Sequence, residues 1–294
     1  MPPFGRVLTA MITPFTEDGR VDEDRVDRLA RHLVDSGSEG IVVAGTTGES
    51  PTLSPDEKVG LFHSVKRAVG DRALVVAGTG TYDTAESVEL SKRAADAGVD
   101  GLMAVTPYYS KPEQRGLVTH FTMIADSTDL PVLLYNIPGR TGRLIAVDTL
   151  ATLAEHDRIV AVKDAVMDID HTSQTVHDVP ELAVYSGQDS YTLAMMAVGA
   201  IGVVSVVSHL AGRQVADMVH AADAGNYEEA RRLHHRLLPL CNALFAESNP
   251  APVKAAMAKW WEPVGRPRPP VAEALPQTVE AVGAALASLQ DVTV

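Results

Sequence analysis

The chain has 294 residues, of which 46% are hydrophobic and 21% are charged, so it can bury a large core. Its 25 Lys and Arg residues against 38 Asp and Glu residues give a formal net charge of −13. This charge argues against nucleic acid or an anionic membrane as the main partner, although a small anionic substrate needs only one well-placed cation. The single cysteine, Cys241, excludes a disulfide or a cysteine-based metal cluster within one chain, and we expect a reducing compartment, the cytoplasm.

Two segments raise the question of a membrane. Residues 1–15 contain one early arginine and an apolar patch that Thr9, Thr13 and Pro14 interrupt, which makes a poor signal peptide. Residues 190–212 carry no formal charge and are long enough to span a bilayer. This stretch contains Gly199 and Gly202 and lacks flanking basic clusters, so we interpret it as a helix, a glycine turn and a buried strand.

The first helix is predicted over 22–37. Its apolar residues, such as Val26 and Leu29, recur at helical spacing and therefore lie on one face. Gly37 falls where a left-handed residue commonly ends a helix. The apolar run 40–44 that follows is typical of a strand buried on both faces.

A pair of glycines recurs between a helix and the following strand, in residues 37–40, 98–101 and 199–202. The first glycine of each pair can end a helix, and the second lets the chain pack closely where the strand starts. The recurrence indicates repeated helix–strand units and places the uncharged stretch inside one of them.

Eight short apolar segments alternate with helical patterns along most of the chain. This alternation predicts an α/β fold, a (β/α)₈ TIM barrel of parallel strands, with an open doubly wound sheet as the alternative. After about residue 224 the pattern is helical, so we predict a catalytic barrel over 1–224 and a C-terminal helical domain over 225–294. The predicted strands are Val7–Ile12, Ile41–Ala44, Ala73–Ala77, Leu102–Thr106, Val132–Asn136, Ile159–Lys163, Leu182–Ser186 and Val203–Val206.

Reactive side chains in such a barrel gather at the C-terminal ends of the strands. Lys163 ends the predicted sixth strand, where a desolvated amine that has lost its proton could attack a carbonyl. A lysine whose ammonium reaches solvent is the alternative. Tyr109 follows the fourth predicted strand and Tyr135 lies near the end of the fifth, and these side chains are either packing aromatics or proton relays. Arg140 lies in a tight loop, and its guanidinium suits a substrate carboxylate.

Motifs for other cofactors and for metals are weak. Gly78 and Gly80 follow a strand as in a dinucleotide-binding loop, but Asp83 stands where the third glycine belongs. His171 and His177 lack the spacing of metal ligands. We therefore predict neither a metal nor a separate cofactor.

Several short motifs stand, in order, at the ends of the predicted strands. They are GTTGES at 45–50, TPYYSKP at 106–112, YNIPGRTG at 135–142, VAVKD at 160–164 and SGQD at 186–189. With these motifs the chain resembles the dihydrodipicolinate synthase family, whose members are also called 4-hydroxy-tetrahydrodipicolinate synthases and belong to the pyruvate-dependent class I aldolases. The resemblance covers nearly the whole chain, including ESNPAPVK at 247–254.

The resemblance implies a lyase of diaminopimelate and lysine biosynthesis. Lys163 would form an imine with pyruvate, and the derived enamine would attack L-aspartate 4-semialdehyde. Thr47, Tyr135 and Tyr109 would relay protons, with Tyr109 reaching into the site of a neighbouring subunit. The family also suggests a homotetramer built from such dimers.

The resemblance also assigns binding residues. Thr46 and Thr47 would hold the pyruvate carboxylate, which fits the anion-binding amides of a glycine–threonine turn. Arg140 would orient the second substrate and support the relay. Gly187 and Val204 would line the same pocket.

Two alternatives remain open. Another pyruvate aldolase, such as an N-acetylneuraminate lyase-like or 2-keto-3-deoxy sugar acid aldolase, would share the lysine but would generally lack Arg140. The other alternative is a non-catalytic ligand-binding relative. The presence of Lys163 and of the tyrosines argues against it.

A feedback site for L-lysine is the last implication of the resemblance. Lysine-inhibited relatives carry histidines and an asparagine where this chain has Pro55, Lys58 and Tyr82. The ammonium of Lys58 would repel that of the inhibitor by about 1 kcal/mol, so we expect weak or absent inhibition. The corresponding positions here are Ser50, Pro55, Lys58, Tyr82, Glu86 and Tyr108.

Overall fold

Eight parallel strands form the centre of the structure, a computed structural model that describes residues 2–290, without the side chain of Gln290. Each strand pairs with the next in the sequence, and β8 pairs back with β1, so the sheet is a closed barrel. The predicted (β/α)₈ barrel is confirmed, and the open sheet is wrong. The strands are β1 Val7–Ala10, β2 Gly40–Val43, β3 Leu74–Gly78, β4 Gly101–Val105, β5 Val132–Asn136, β6 Ile159–Asp164, β7 Ala183–Ser186 and β8 Gly202–Ser205.

The strands are buried on both faces, as their continuous apolar sequences predict. Leu8, Val42 and Val76 pack with one another inside the barrel, whereas their neighbours Val7 and Ile41 pack in the outer core with the helices. Successive side chains of a strand point to opposite faces, so each strand contributes to both cores.

The first strand ends two residues before its predicted end. The amide of Met11 still donates to the carbonyl of Val42, at 3.0 Å. The amide of Ile12 donates instead to Nε2 of His209, at 3.1 Å. The imidazole of His209, which lies outside the sheet, therefore accepts the hydrogen bond that Ile12 would otherwise donate to a neighbouring strand. The strand β1 ends at this point.

Helices surround the barrel and continue after it. The predicted first helix is found, and after α9 the chain forms three more helices. The helices are α1 Glu23–Asp35, α2 Pro55–Val69, α3 Thr84–Asp96, α4 Gln114–Asp126, α5 Pro138–Thr141, α6 Val147–Ala154, α7 Ile169–Asp178, α8 Thr192–Ala197, α9 Ser208–Asp223, α10 Tyr227–Leu244, α11 Ala251–Trp260 and α12 Pro276–Gln290.

The glycine pairs have the geometry that the sequence predicts. Gly199, after α8, has a φ of +111°, which favours glycine. A Cβ atom on Gly202 would lie 2.1 Å from the carbonyl oxygen of Arg6, so only glycine fits at the start of β8. The uncharged stretch forms α8, β8 and the start of α9, and within residues 2–290 no helix is both long and apolar enough to cross a membrane.

The C-terminal helices pack against the barrel's last helix and against one another. Asn226 caps α10 by accepting a hydrogen bond from the amide of Glu229, at 3.2 Å. Buried Leu233 and Leu237 lie on the face of α10 that joins the core shared with α9. The boundary predicted at residue 224 falls in the turn between α9 and α10, and the division into two domains stays a prediction.

Candidate active site

Lys163 and Tyr135 meet at the C-terminal end of the barrel. They are register partners on the neighbouring strands β6 and β5, so their side chains share a face. Lys163 is only 5% exposed, and its Nζ lies 4.2 Å from the centroid of the Tyr135 ring. The amine is therefore held in a desolvated site beside a phenol, and a solvent-exposed lysine is excluded.

Because Gly187 has no side chain, the side chain of Lys163 can pass close to its backbone. A Cβ atom at residue 187 would lie 3.1 Å from Cε of Lys163 and 2.8 Å from Cβ of Ala165. The backbone amide of Gly187 donates to the carbonyl of Asp164 at 2.7 Å, which fixes this close approach. Val204 is buried in the barrel interior in the same cluster as Tyr135.

A cavity of about 200 Å³ opens at this end of the barrel. Polar side chains line one part of it, and Met103 and Val105 supply apolar wall. The structure thus brings together candidates from the loops after β2, β4 and β5. The lining residues discussed below are Thr46, Ser50, Tyr108, Tyr135 and Arg140.

Arg140 is carried by the single helical turn α5. Pro138 occupies the first helical position, where its missing N–H costs nothing, and Gly142 ends the turn with a φ of +68°. Arg140 is exposed at the wall of the cavity. A guanidinium there can meet an anionic ligand that enters from solvent.

Thr47 is buried in the turn that follows β2. Its Oγ1 accepts a hydrogen bond from Nδ2 of Asn249, at 2.9 Å. Asn249 lies just before α11, so the C-terminal segment reaches the end of the barrel where the strands end. Sequence reasoning included ESNPAPVK in the resemblance but assigned no role to Asn249.

A buried ion pair adjoins this contact. Nζ of Lys254 donates to Oε1 of Glu49 at 2.8 Å, and the two side chains are 1% and 2% exposed. Sequence reasoning missed the pair, although a lysine among the apolar residues of a short helix is a signal of a buried partner.

Tyr135 lines the cavity of its own chain, whereas Tyr109 does not. Its residue is 93% exposed, and its φ of +66° is uncommon for a residue other than glycine. The structure therefore separates Tyr109 from Lys163 within one chain.

Most residues of the predicted feedback site lie together. Lys58 is buried, and burial lowers the pKa of its ammonium, an effect that the negative charge of Glu86 opposes. The rings of Tyr82 and Tyr108 pack edge to face with centroids 5.3 Å apart. Burial raises the pKa of Tyr108. Pro55 is exposed at the start of α2, the helix that also carries Lys58.

Acidic, histidine and cysteine side chains do not assemble into a group of three that could hold a metal ion anywhere within residues 2–290. The polar groups of the cavity wall are instead phenols, hydroxyls and a guanidinium, and the amine of Lys163 lies beside one of the phenols, Tyr135. Such a set can form an imine with a carbonyl compound and move protons around it.

The chain is similar in sequence and in fold to known dihydrodipicolinate synthases. A 4-hydroxy-tetrahydrodipicolinate synthase from Moorella thermoacetica is 53% identical over 284 residues, which cover 96% of this chain and 97% of the relative. DHDPS from Cyanidioschyzon merolae with lysine bound has a TM-score of 0.95 and 42% identity, and the match covers 98% of both chains. The chloride-inhibited dihydrodipicolinate synthase from Acinetobacter baumannii complexed with pyruvate has a TM-score of 0.95 and 36% identity, over 98% of this chain and 100% of that one.

The chain also matches the sequence model of a protein family. The sequence model of the dihydrodipicolinate synthetase family matches residues 3–289, which include every strand of the barrel and most of α12. The chain therefore belongs to the dihydrodipicolinate synthetase family.

Proposed function

We propose that the chain is a 4-hydroxy-tetrahydrodipicolinate synthase, which condenses pyruvate with L-aspartate 4-semialdehyde. The observation that carries the proposal is Lys163, buried at a strand end with its Nζ 4.2 Å from the Tyr135 ring. Its amine attacks the keto carbon of pyruvate, water leaves, and an imine forms. Loss of a methyl proton then gives the enamine, whose carbon attacks the aldehyde.

Three hydroxyl groups would handle the protons of these steps. Tyr135 lies beside the amine, and Thr47 is buried in the turn after β2. The third group, Tyr109, would come from a second subunit. Its 93% exposure supports this role, because a large aromatic side chain left in water is typical of a protein interface.

The assembly that follows from this role is at least a dimer in which each subunit completes the partner's site. By its family the chain would form a homotetramer of two such dimers. The pyruvate carboxylate would lie against the turn of Thr46 and Thr47, where backbone amides can bind an anion. Arg140, at the cavity wall, would bind the carboxylate of the semialdehyde.

Borohydride reduction in the presence of pyruvate tests the proposal. Reduction would convert the imine to a stable secondary amine, so peptide mass mapping should find the adduct on the peptide that contains Lys163. Lys92→Ala, on the exposed face of α3, is the control and should be trapped like the unchanged protein. Absence of an adduct at Lys163 would falsify the aldolase mechanism.

Arg140→Ala should weaken the use of the second substrate. Loss of a charged hydrogen bond of roughly 1.5–3 kcal/mol predicts a fall of about 10- to 100-fold in kcat/KM for aspartate semialdehyde. Pyruvate trapping should stay unchanged, because the imine forms before the aldehyde reacts. Steady-state kinetics with aspartate semialdehyde and with sugar aldehydes measure the effect, with the exposed Arg115→Ala as control. Unchanged turnover of the semialdehyde would remove Arg140 from its assigned role.

L-Lysine should inhibit the enzyme weakly or not at all. Lys58 is buried near Glu86, and its ammonium would repel a second ammonium placed beside it. Initial rates at increasing L-lysine concentration measure the effect. A complete inhibition curve at micromolar L-lysine would show that this expectation is wrong.

A further inference from the structure

The turn that carries Thr47 has an unusual backbone. Ala44, where the turn begins, and Glu49, near its end, have φ values of +54° and +59°. Residues other than glycine rarely adopt such angles, and they keep them only where the surrounding structure holds them. The contacts that hold this turn therefore determine where Thr47 lies.

The C-terminal segment supplies the first of these contacts. The carboxylate of Glu49 accepts from Nζ of Lys254 at 2.8 Å through one oxygen. Through the other oxygen it accepts from the backbone amide of Arg268 at 2.7 Å. Both acceptor atoms of a buried carboxylate are thus bonded to residues beyond α10.

The ammonium of Lys254 makes two further hydrogen bonds. Besides Glu49, its Nζ donates to the carbonyl oxygens of Thr13 at 3.0 Å and Arg266 at 3.2 Å. It also lies 4.1 Å from the centroid of the Phe15 ring. An ammonium has three protons, and each has an acceptor here, so the first turn of α11 is held against the barrel.

Asn249, next to the fixed start of α11, contacts Thr47. It lies two residues before α11, is buried, and donates from Nδ2 to Oγ1 of Thr47 at 2.9 Å. Because the amide N–H occupies a lone pair of that oxygen, the proton of the Thr47 hydroxyl is left free for another partner. The contact thus restrains the rotamer of Thr47 and directs its hydroxyl proton away from Asn249.

We infer that Asn249 is a positioning residue for Thr47, held in place by the buried ion pair of Lys254 and Glu49. The inference rests on the proposed function, in which Thr47 relays protons. The C-terminal helices then serve the chemistry of the barrel as well as its stability. Asn249 acts through Thr47 alone, since its hydrogen bond goes to that hydroxyl.

Asn249→Ala in the full chain should lower kcat roughly tenfold, because a single hydrogen bond to a reacting group is lost. The KM for pyruvate should change less than about twofold, and borohydride should still trap pyruvate on Lys163. Asn242→Ala, on the exposed face of α10, is the matched control and should leave kcat unchanged. Asn249→Asp keeps the size of the side chain but cannot donate when ionised, and it should lose kcat as well.

A double-mutant cycle separates this role from a merely structural one. In a Thr47→Val background, Asn249→Ala should lower kcat by less than about twofold, because its partner hydroxyl is already absent. An equal loss in both backgrounds, or an unchanged kcat in both Asn249 variants, would overturn the inference. If the unchanged protein fails to trap pyruvate at Lys163, the proposed function itself is wrong, and the two failures are therefore distinguishable.

Discussion

Lys163→Ala is expected to abolish the condensation, with a fall in kcat of about 10⁴-fold or more, because the proposed nucleophile is removed. The fold should survive, since Lys163 lies near the end of β6 and its amine contacts the face of the Tyr135 ring. Steady-state kinetics with pyruvate and aspartate semialdehyde measure the loss, and borohydride trapping should fail in the same variant.

Lys163→Arg is the informative companion variant. It keeps a positive charge beside Tyr135 but presents a guanidinium, which stays protonated and forms no imine. If Lys163 acts as a nucleophile, both variants lose activity alike. Substantial activity in the arginine variant would show that only the charge of Lys163 matters.

The second large effect concerns stability. Lys254→Met leaves the carboxylate of Glu49 buried without its cation, and breaking such a pair typically costs about 3–5 kcal/mol of unfolding free energy. Urea unfolding followed by circular dichroism measures the loss. Arg232→Met breaks the exposed pair with Glu229 on α10 and should leave the midpoint nearly unchanged.

Removal of both charges should cost less than removal of one. In a Glu49→Gln, Lys254→Met double variant the side chain at position 49 can still accept from the amide of Arg268, and no unpaired charge is buried. The double variant should therefore be more stable than Lys254→Met alone. Equal destabilisation of the two would mean that packing around the lysine stem, and not charge, is responsible.

Much of the barrel could be predicted because its signals are local. The glycine pairs and the short apolar runs repeat with the helix–strand unit, and each predicted strand overlaps an observed one. Lys163, Tyr135 and Arg140 could be chosen because the carboxyl ends of parallel strands share one rim of a barrel. The end of β1 could not be predicted, because His209 stops it from a distant helix.

By itself, the sequence of this protein determined the barrel, the candidate residues at the C-terminal ends of its strands and the resemblance to its family. Only the tertiary structure decided which distant groups hold those residues. Asn249 bonds Thr47 across 202 positions, and Lys254 pairs with Glu49 across 205. The period of a helix or strand relates only near neighbours, whereas such pairs depend on how α11 packs onto the barrel.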